Sequence, residues 1–119
     1  MSRALPLIFL SLGAVLGGCS DTRPNAVGDP ARGRIALTQY ACHACHVIPG
    51  ITGSDVHVGP PLAGLANRRT IAGEFPNTPE HLIAWIRDPQ AMDPATAMPN
   101  MHVSERDARD IAAYLLSAR

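Results

Sequence analysis

Apolar residues form one continuous run near the N-terminus and then recur at helical spacing in three later stretches. The run, Ala4 to Leu16, follows Arg3 and contains no charged residue. It is shorter than the about 20 apolar residues that a membrane-spanning helix needs. A basic residue followed by a short apolar run is typical of a secretory signal, so the pattern predicts export from the cytoplasm.

The first periodic stretch predicts an N-terminal helix. Asp29 can cap its first turn, and Pro30 suits the first helical position. The helix is expected to extend up to the pair of cysteines that follows. One of its faces is lined by Ala31, Ile35 and Thr38.

The other two stretches predict helices in the second half of the chain. The segment 77–80 resembles a capped helix start, and this helix should end before Pro89. Its buried side is predicted to consist of Leu82, Ile83, Trp85 and Ile86. Ser104 begins the last helix, with acidic residues in the first turn. The inward stripe of the last helix is predicted to be Ala108, Ile111, Ala112 and Leu115. Residues 62–67 are a candidate for a further short helix.

Composition excludes some functions and limits the core. The 119 residues suit one domain, and 10 basic against 10 acidic residues give no sign of nucleic-acid binding. Two Phe, two Tyr and one Trp, beside 11 prolines, leave little side-chain material for a core. A large apolar cofactor would supply the missing volume.

The end of the N-terminal run resembles a bacterial lipobox. In Leu16-Gly17-Gly18-Cys19 the cysteine would become the lipid-modified first residue of the mature protein. The alternative is a plain signal peptide with a cysteine near its cleavage site, although a lone free thiol is unusual in an exported protein. The predicted organisation is a signal peptide at 1–18, a lipidated cysteine and tether at 19–28, and one domain at 29–119.

Cys42-x-x-Cys45-His46 is the strongest chemical motif, and four interpretations compete for it. A redox-active dithiol suits an oxidising compartment, but no alternation of strand and helix surrounds the motif. A structural zinc site needs four ligands, and the sequence lacks a second cysteine pair. The third interpretation is a chance disulfide on a surface loop. Covalent haem is favoured, because two thiols at this spacing match the two vinyl groups of one porphyrin edge, and the adjacent histidine reaches the iron.

The order of the motifs resembles that of a class I cytochrome c. The cysteine motif is followed by Gly59-Pro60-Pro61-Leu62, then by Met98-Pro99 and by a last helix that ends DIAAYLLS. The resemblance covers about residues 29–119 and is strongest to small bacterial single-haem domains, including those fused to oxidase subunits. It implies an all-α fold of about four short helices around one covalently attached haem c. It also implies a close crossing of the first and last helices at Gly33.

The resemblance further implies roles for single residues. Cys42 and Cys45 would hold the haem. His46 and Met98 would be the axial ligands of the iron, and Met101 and then His102 are the next candidates for the second position. The other implied haem-site residues are Pro60, whose carbonyl accepts from His46, Leu62 on the haem face, and Arg68 (or Arg69) and Trp85 at the propionates.

The implied function is single-electron transfer by an iron with both axial positions filled. Expected partners are membrane-bound redox complexes, and the protein would be a carrier or a subunit of an oxidoreductase complex, not itself an enzyme. A lipid at Cys19 would hold it on the periplasmic side of a bacterial membrane. Two alternatives stay open: a haem sensor or peroxidase-like enzyme with a labile sixth ligand, and a zinc- or disulfide-stabilised binding module without haem.

Overall fold

Four α-helices and one short hairpin make up residues 27–118, the part of the chain that the computed structural model describes. The helices are α1 (Pro30–Gln39), α2 (Pro79–Arg87), α3 (Pro89–Met92) and α4 (Glu105–Ser117). Shorter elements are two 3₁₀ helices, Cys42–Ala44 and Leu65–Asn67, and the antiparallel strands β1 (Thr70–Ile71) and β2 (Phe75–Pro76). The predicted signal peptide, the lipobox with Cys19 and the tether up to residue 26 lie outside the described residues.

The predicted helix starts are confirmed by their capping hydrogen bonds. The Asp29 carboxylate accepts from two amides of the first turn of α1, and Pro30 occupies the first helical position. Thr78 accepts from the His81 amide at the start of α2, and Ser104 accepts from the Asp107 amide at the start of α4. These side chains satisfy amides that have no partner inside a helix.

Helices α1 and α4 cross at Gly33, which confirms the predicted contact. A Cβ atom at this position would lie 2.0 Å from the Asp110 carbonyl oxygen, so the crossing leaves room for glycine alone. Beside it, the buried Asp110 carboxylate accepts from the Arg32 guanidinium at 2.7 and 3.1 Å and from the Asp29 amide at 2.7 Å. These bonds tie the start of α1 to the middle of α4.

The predicted stripe on α4 is buried, and the face of α1 lined by Ala31, Ile35 and Thr38 is exposed. The buried α4 residues include Ala108, Ile111, Ala112 and Leu115. On α1 the buried residues are Gly33, Ala36 and Leu37. The face lined by Ala31, Ile35 and Thr38 is turned to solvent, with Ile35 56% exposed. The reason is the close crossing, which requires Gly33 to face α4 and so buries the side of α1 on which Gly33 lies.

Two elements between residues 70 and 92 were not predicted. A hairpin joins β1 to β2 through a turn in which Ala72 and Gly73 have φ of 50° and 86°. Helix α2 ends at Arg87, as Pro89 predicts, but α3 begins at once, with Asp88 as its cap and Pro89 in its first turn. The fold is therefore mostly α, with a little sheet. Within the described residues no helix is both long and apolar enough to cross a membrane.

Candidate cofactor site

The cysteine motif forms a tight turn directly after α1. Ala41 takes a left-handed backbone conformation, with φ of 53°, before the 3₁₀ helix Cys42–Ala44. The amides of Cys45 and His46 both donate to the Cys42 carbonyl, at 3.2 and 3.1 Å. Cys42 and Cys45 are free thiols, and both are half-buried. A single turn of backbone therefore carries all three reactive groups of the motif.

The electrostatics of Cys42 differ from those of a redox-active dithiol. Burial raises the pKa of its thiol, a hydrogen bond to its own backbone opposes this, and the nearby charge of Cys45 adds to the rise. In disulfide oxidoreductases the attacking cysteine has a lowered pKa and is present largely as thiolate. The raised pKa therefore argues against the thioredoxin-like interpretation.

The His46 ring is oriented by the carbonyl of Pro60. His46 Nδ1 lies 2.8 Å from that oxygen, which can only accept a hydrogen bond. Nδ1 must therefore carry the hydrogen, and the lone pair of the neutral ring is on Nε2. A metal-ligating histidine usually donates its second nitrogen in this way, because the bond fixes the tautomer and raises ligand basicity.

Gly59 provides the space in which the His46 ring lies. A Cβ atom at Gly59 would be 2.4 Å from Cε1 and 2.7 Å from Nδ1 of that ring. The Gly59 amide donates to the Cys45 carbonyl at 2.7 Å, and the Leu62 amide donates to the Val47 carbonyl at 2.8 Å. The segment 59–62 is thus folded back onto the cysteine motif, as its place in the motif order suggested.

Leu62 and Arg68 are the next two predicted haem-site residues, and both belong to the chain just after Pro60. Leu62 is half-buried and packs against the hydrophobic core. The Arg68 guanidinium donates to the carbonyls of Pro61 and Ala63, so it fastens the loop rather than pointing freely into solvent. Arg69 is exposed. A propionate contact by Arg68 or Arg69 stays a prediction.

Trp85 lies in an aromatic pair on the edge of the core. Its ring centroid is 6.3 Å from that of Phe75, which comes from β2. Trp85, Phe75 and Ile83 are half-buried and pack against the hydrophobic core. Helix α2 and the hairpin therefore present a partly covered apolar surface.

Met98 lies in the loop between α3 and α4, which is held by side-chain hydrogen bonds. Gln90 Nε2 donates to the Met98 carbonyl at 2.7 Å, and the Met98 amide donates to Thr96 Oγ1 at 3.2 Å. Met98 is half-buried, whereas Met101 is 38% exposed. His102 is also exposed, with φ of 55°. Met98 is thus the least exposed of the three candidates, and both its amide and its carbonyl are hydrogen-bonded.

These side chains fit a covalently attached haem. Two free thiols and a histidine with an available Nε2 share one turn, which is the donor set that haem c requires. Half-buried apolar side chains also lie against the hydrophobic core: Leu62, Phe75, Ile83 and Trp85. Among residues 27–118, no three His, Cys, Asp or Glu side chains converge as they would around a zinc ion.

The fold and the site define a class of protein: the chain belongs to the cytochrome c family. The family model described as cytochrome c matches residues 30–119. Membership implies covalently bound haem c and haem-based electron transfer. The family expected from the motif order is therefore confirmed, as is the fold class.

Two curated relatives are both cytochrome c oxidase subunit 2. The protein of Alkalihalophilus pseudofirmus is 37% identical over 89 residues, which are 74% of this chain and 25% of the relative. The protein of Bacillus sp. strain PS3 is 29% identical over 104 residues, which are 83% of this chain and 29% of the relative. The chain thus spans about a quarter of the length of these relatives.

Two residues of the site carried no signal in the sequence. Ser54 bonds to the backbone on both sides of Val47, and Gln90 bonds to the carbonyl of Met98. Neither belongs to a motif or to an apolar period. Both act across irregular loops, whose conformation is visible only in the tertiary structure.

Proposed function

We propose that this protein is a single-electron carrier in which one haem c is attached to Cys42 and Cys45. His46 and Met98 are the axial ligands in this proposal. The cytochrome c domain comprises residues 29–119. Residues 1–18 are a signal peptide, and the lipidated Cys19 with its tether reaches to residue 28.

One observation carries the proposal: the 2.8 Å hydrogen bond from His46 Nδ1 to the Pro60 carbonyl, on the turn that bears both thiols. The bond leaves Nε2 as the ligating atom and sets the direction of the ring. The bound haem supplies the one-electron couple. The chain supplies two covalent attachment points and a histidine that keeps one orientation.

A second iron ligand would have to be held firmly to keep its place in both redox states. The Gln90 side chain donates to the Met98 carbonyl, and the Met98 amide donates to Thr96. Pro99, the next residue, has its own φ fixed by its ring. A thioether ligand raises the potential of a haem and leaves no open position for a substrate. This favours electron transfer over a sensor or a peroxidase-like enzyme.

The remaining side chains complete the proposed haem site. The Pro60 carbonyl orients His46, and Leu62 would pack against the haem. Arg68 and the Trp85 indole would donate to the propionates, because an anion needs hydrogen-bond donors. Arg68 is already bonded to loop carbonyls, so a propionate contact would join the haem to that loop.

The proposed partners are membrane-bound redox complexes, such as an oxidase, a reductase or a dehydrogenase. Support comes from the two relatives, which are oxidase subunits. A lipid at Cys19 and a short tether would hold the domain at the outer face of a bacterial membrane. Tethering raises its effective concentration near partners in the same membrane.

The test is an absorption spectrum of the exported full-length protein, oxidised and reduced, beside the Met98→Ala variant. We expect a sharp reduced c-type spectrum and a weak near-infrared methionine–iron band that disappears in the variant. Met101→Ala is the matched control and should keep the band.

The outcomes separate the competing functions. A high-spin wild-type spectrum, or ready binding of carbon monoxide, would support a sensor or enzyme instead. A folded but colourless protein would contradict the haem proposal. Loss of the band in Met101→Ala rather than in Met98→Ala would reassign the ligand.

A further inference from the structure

A serine hydroxyl bridges the backbone on both sides of Val47, directly after the proposed iron ligand. Ser54 Oγ donates to the His46 carbonyl at 2.6 Å and accepts from the Ile48 amide. Ile48 is 2% exposed, so its amide could not readily turn to water if this acceptor were lost. The hydroxyl thus fixes the backbone from the His46 carbonyl to the Ile48 amide.

The same loop is closed by backbone groups at its ends. The Gly59 amide donates to Cys45, and the Leu62 amide donates to Val47. Between these two bonds lies the contact from the His46 ring to Pro60. Ser54 lies in the middle of the loop, and its side chain bonds to the backbone at the start of the loop.

We propose that Ser54 is a positioning residue for the iron ligand His46, an inference that rests on the proposed haem function. Ser54 fixes the His46 backbone, and the bond to Pro60 then fixes the ring, so Nε2 keeps one direction. The bond from Nδ1 makes the imidazole a more basic ligand, which favours the ferric state. Loss of the hydroxyl should loosen that bond and raise the midpoint potential.

The test compares full-length holoproteins. In Ser54→Ala we expect a higher midpoint potential than in the wild type and displaced hyperfine-shifted NMR signals of the His46 ring. Ser54→Thr keeps the hydroxyl and should retain the wild-type values.

Thr78→Ala is the matched control for lost stability. It removes a hydroxyl that accepts from the His81 amide and caps α2, in another part of the chain. It should lower Tm while leaving the potential and the His46 signals unchanged.

A lower Tm in Ser54→Ala with unchanged potential and ring signals would overturn the inference and leave a purely structural serine. If Ser54→Ala does not fold, Ser54→Thr and Ser54→Val give the comparison, because they share a shape and differ in the hydroxyl. Equal potentials in that pair would also overturn it. A wild-type protein without haem absorption would overturn the proposed function and this inference together. If the wild type has a c-type spectrum but the Ser54 variants keep its midpoint potential and His46 signals, the inference alone is overturned.

Discussion

At the residue scale, the orientation of His46 depends on contacts in which one added atom would not fit. Its ring lies against Gly59, and its Nδ1 donates to the carbonyl of Pro60, the residue after Gly59. A side chain at Gly59 would therefore push the ring away from the carbonyl that orients it. The glycine matters here for its missing Cβ.

We expect Gly59→Ala to reduce haem incorporation and to lower the free energy of unfolding. Overpacking of this kind costs about 1–3 kcal/mol, and the displaced ring should reduce haem incorporation several-fold. The measurement is the ratio of haem absorbance to protein. Gly53→Ala is the control, since a Cβ there meets nothing within 4 Å although φ is 75°. Equal incorporation in both variants would contradict this expectation.

A second residue-scale prediction concerns the buried carboxylate of Asp110. Burial tends to raise its pKa, but hydrogen bonds from Arg32 and the Asp29 amide outweigh this effect, and the pKa is lowered. A lowered carboxyl pKa stabilises the fold above the unfolded-state value of about 3.9. That contribution is lost as the pH falls through the folded-state pKa.

Asp110→Asn should therefore be less stable than the wild type at neutral pH, by on the order of 2 kcal/mol. It should also lose less stability on acidification below about pH 4, because it lacks the titrating group. Urea unfolding at neutral and acid pH measures both effects. Asp55→Asn removes an exposed carboxylate and should have the stability and pH dependence of the wild type. If Asp110→Asn also behaved like the wild type, the stabilising role of the Asp110 carboxylate would be refuted.

At the element scale, the crossing of α1 and α4 decides which side of α1 is buried. Periodicity identifies both helices, but it favours bulky apolar residues for the interface. The structure instead places Gly33 there, and Ile35 stays exposed. Close approach of two helix backbones needs a residue without a side chain at the crossing point.

Gly33→Ala should destabilise the protein although alanine is the better helix former. The propensity gain of about 1 kcal/mol is outweighed, because the new Cβ would meet the Asp110 carbonyl at 2.0 Å. We expect a net loss of about 1–3 kcal/mol in thermal or urea unfolding. Ile35→Ala on the exposed side should stay within about 0.5 kcal/mol of the wild type. A stabilised Gly33→Ala variant would show that the helices can separate at no cost.

At the scale of the whole molecule, the protein core is built from small and medium aliphatic side chains. The aromatic residues Tyr40, Phe75, Trp85 and Tyr114 are only half-buried. In the proposed holoprotein, the porphyrin adds a large apolar surface to this core. Folding and cofactor attachment are then coupled, since a ligand that binds the native state stabilises it.

Protein made without haem-attachment machinery should accordingly be poorly folded. We expect low helicity by circular dichroism and no cooperative thermal transition, whereas the haem-loaded protein melts cooperatively. The same comparison can be made with the double variant Cys42→Ala/Cys45→Ala, which cannot form the thioether bonds. A native-like cooperative melt of the haem-free chain would count against a haem-dependent core.

The amino-acid sequence by itself determined the family, the helix starts and the place of the covalent motif. These features are local: a cap, a proline or a Cys-x-x-Cys-His spacing acts within a few residues. It also located Pro60 beside His46, but only through resemblance to a known motif order. The roles of Met98, Arg68 and Trp85 toward a haem stay predictions.

Only the tertiary structure showed that Ala36 and Leu37 accompany Gly33 on the buried face of α1. It alone also showed the hairpin after Leu65–Asn67 and the bonds made by Ser54 and Gln90. The helix crossing joins residues far apart in the chain, and the bonds of Ser54 and Gln90 close irregular loops that have no sequence period. The hairpin turn needs a backbone conformation that Ala72 alone disfavours. Long-range packing selects these arrangements because they satisfy buried polar groups and close contacts together. A local sequence pattern does not report on such packing. The Cys-x-x-Cys-His motif could therefore be found in the sequence, whereas the role of Ser54 beside it could not.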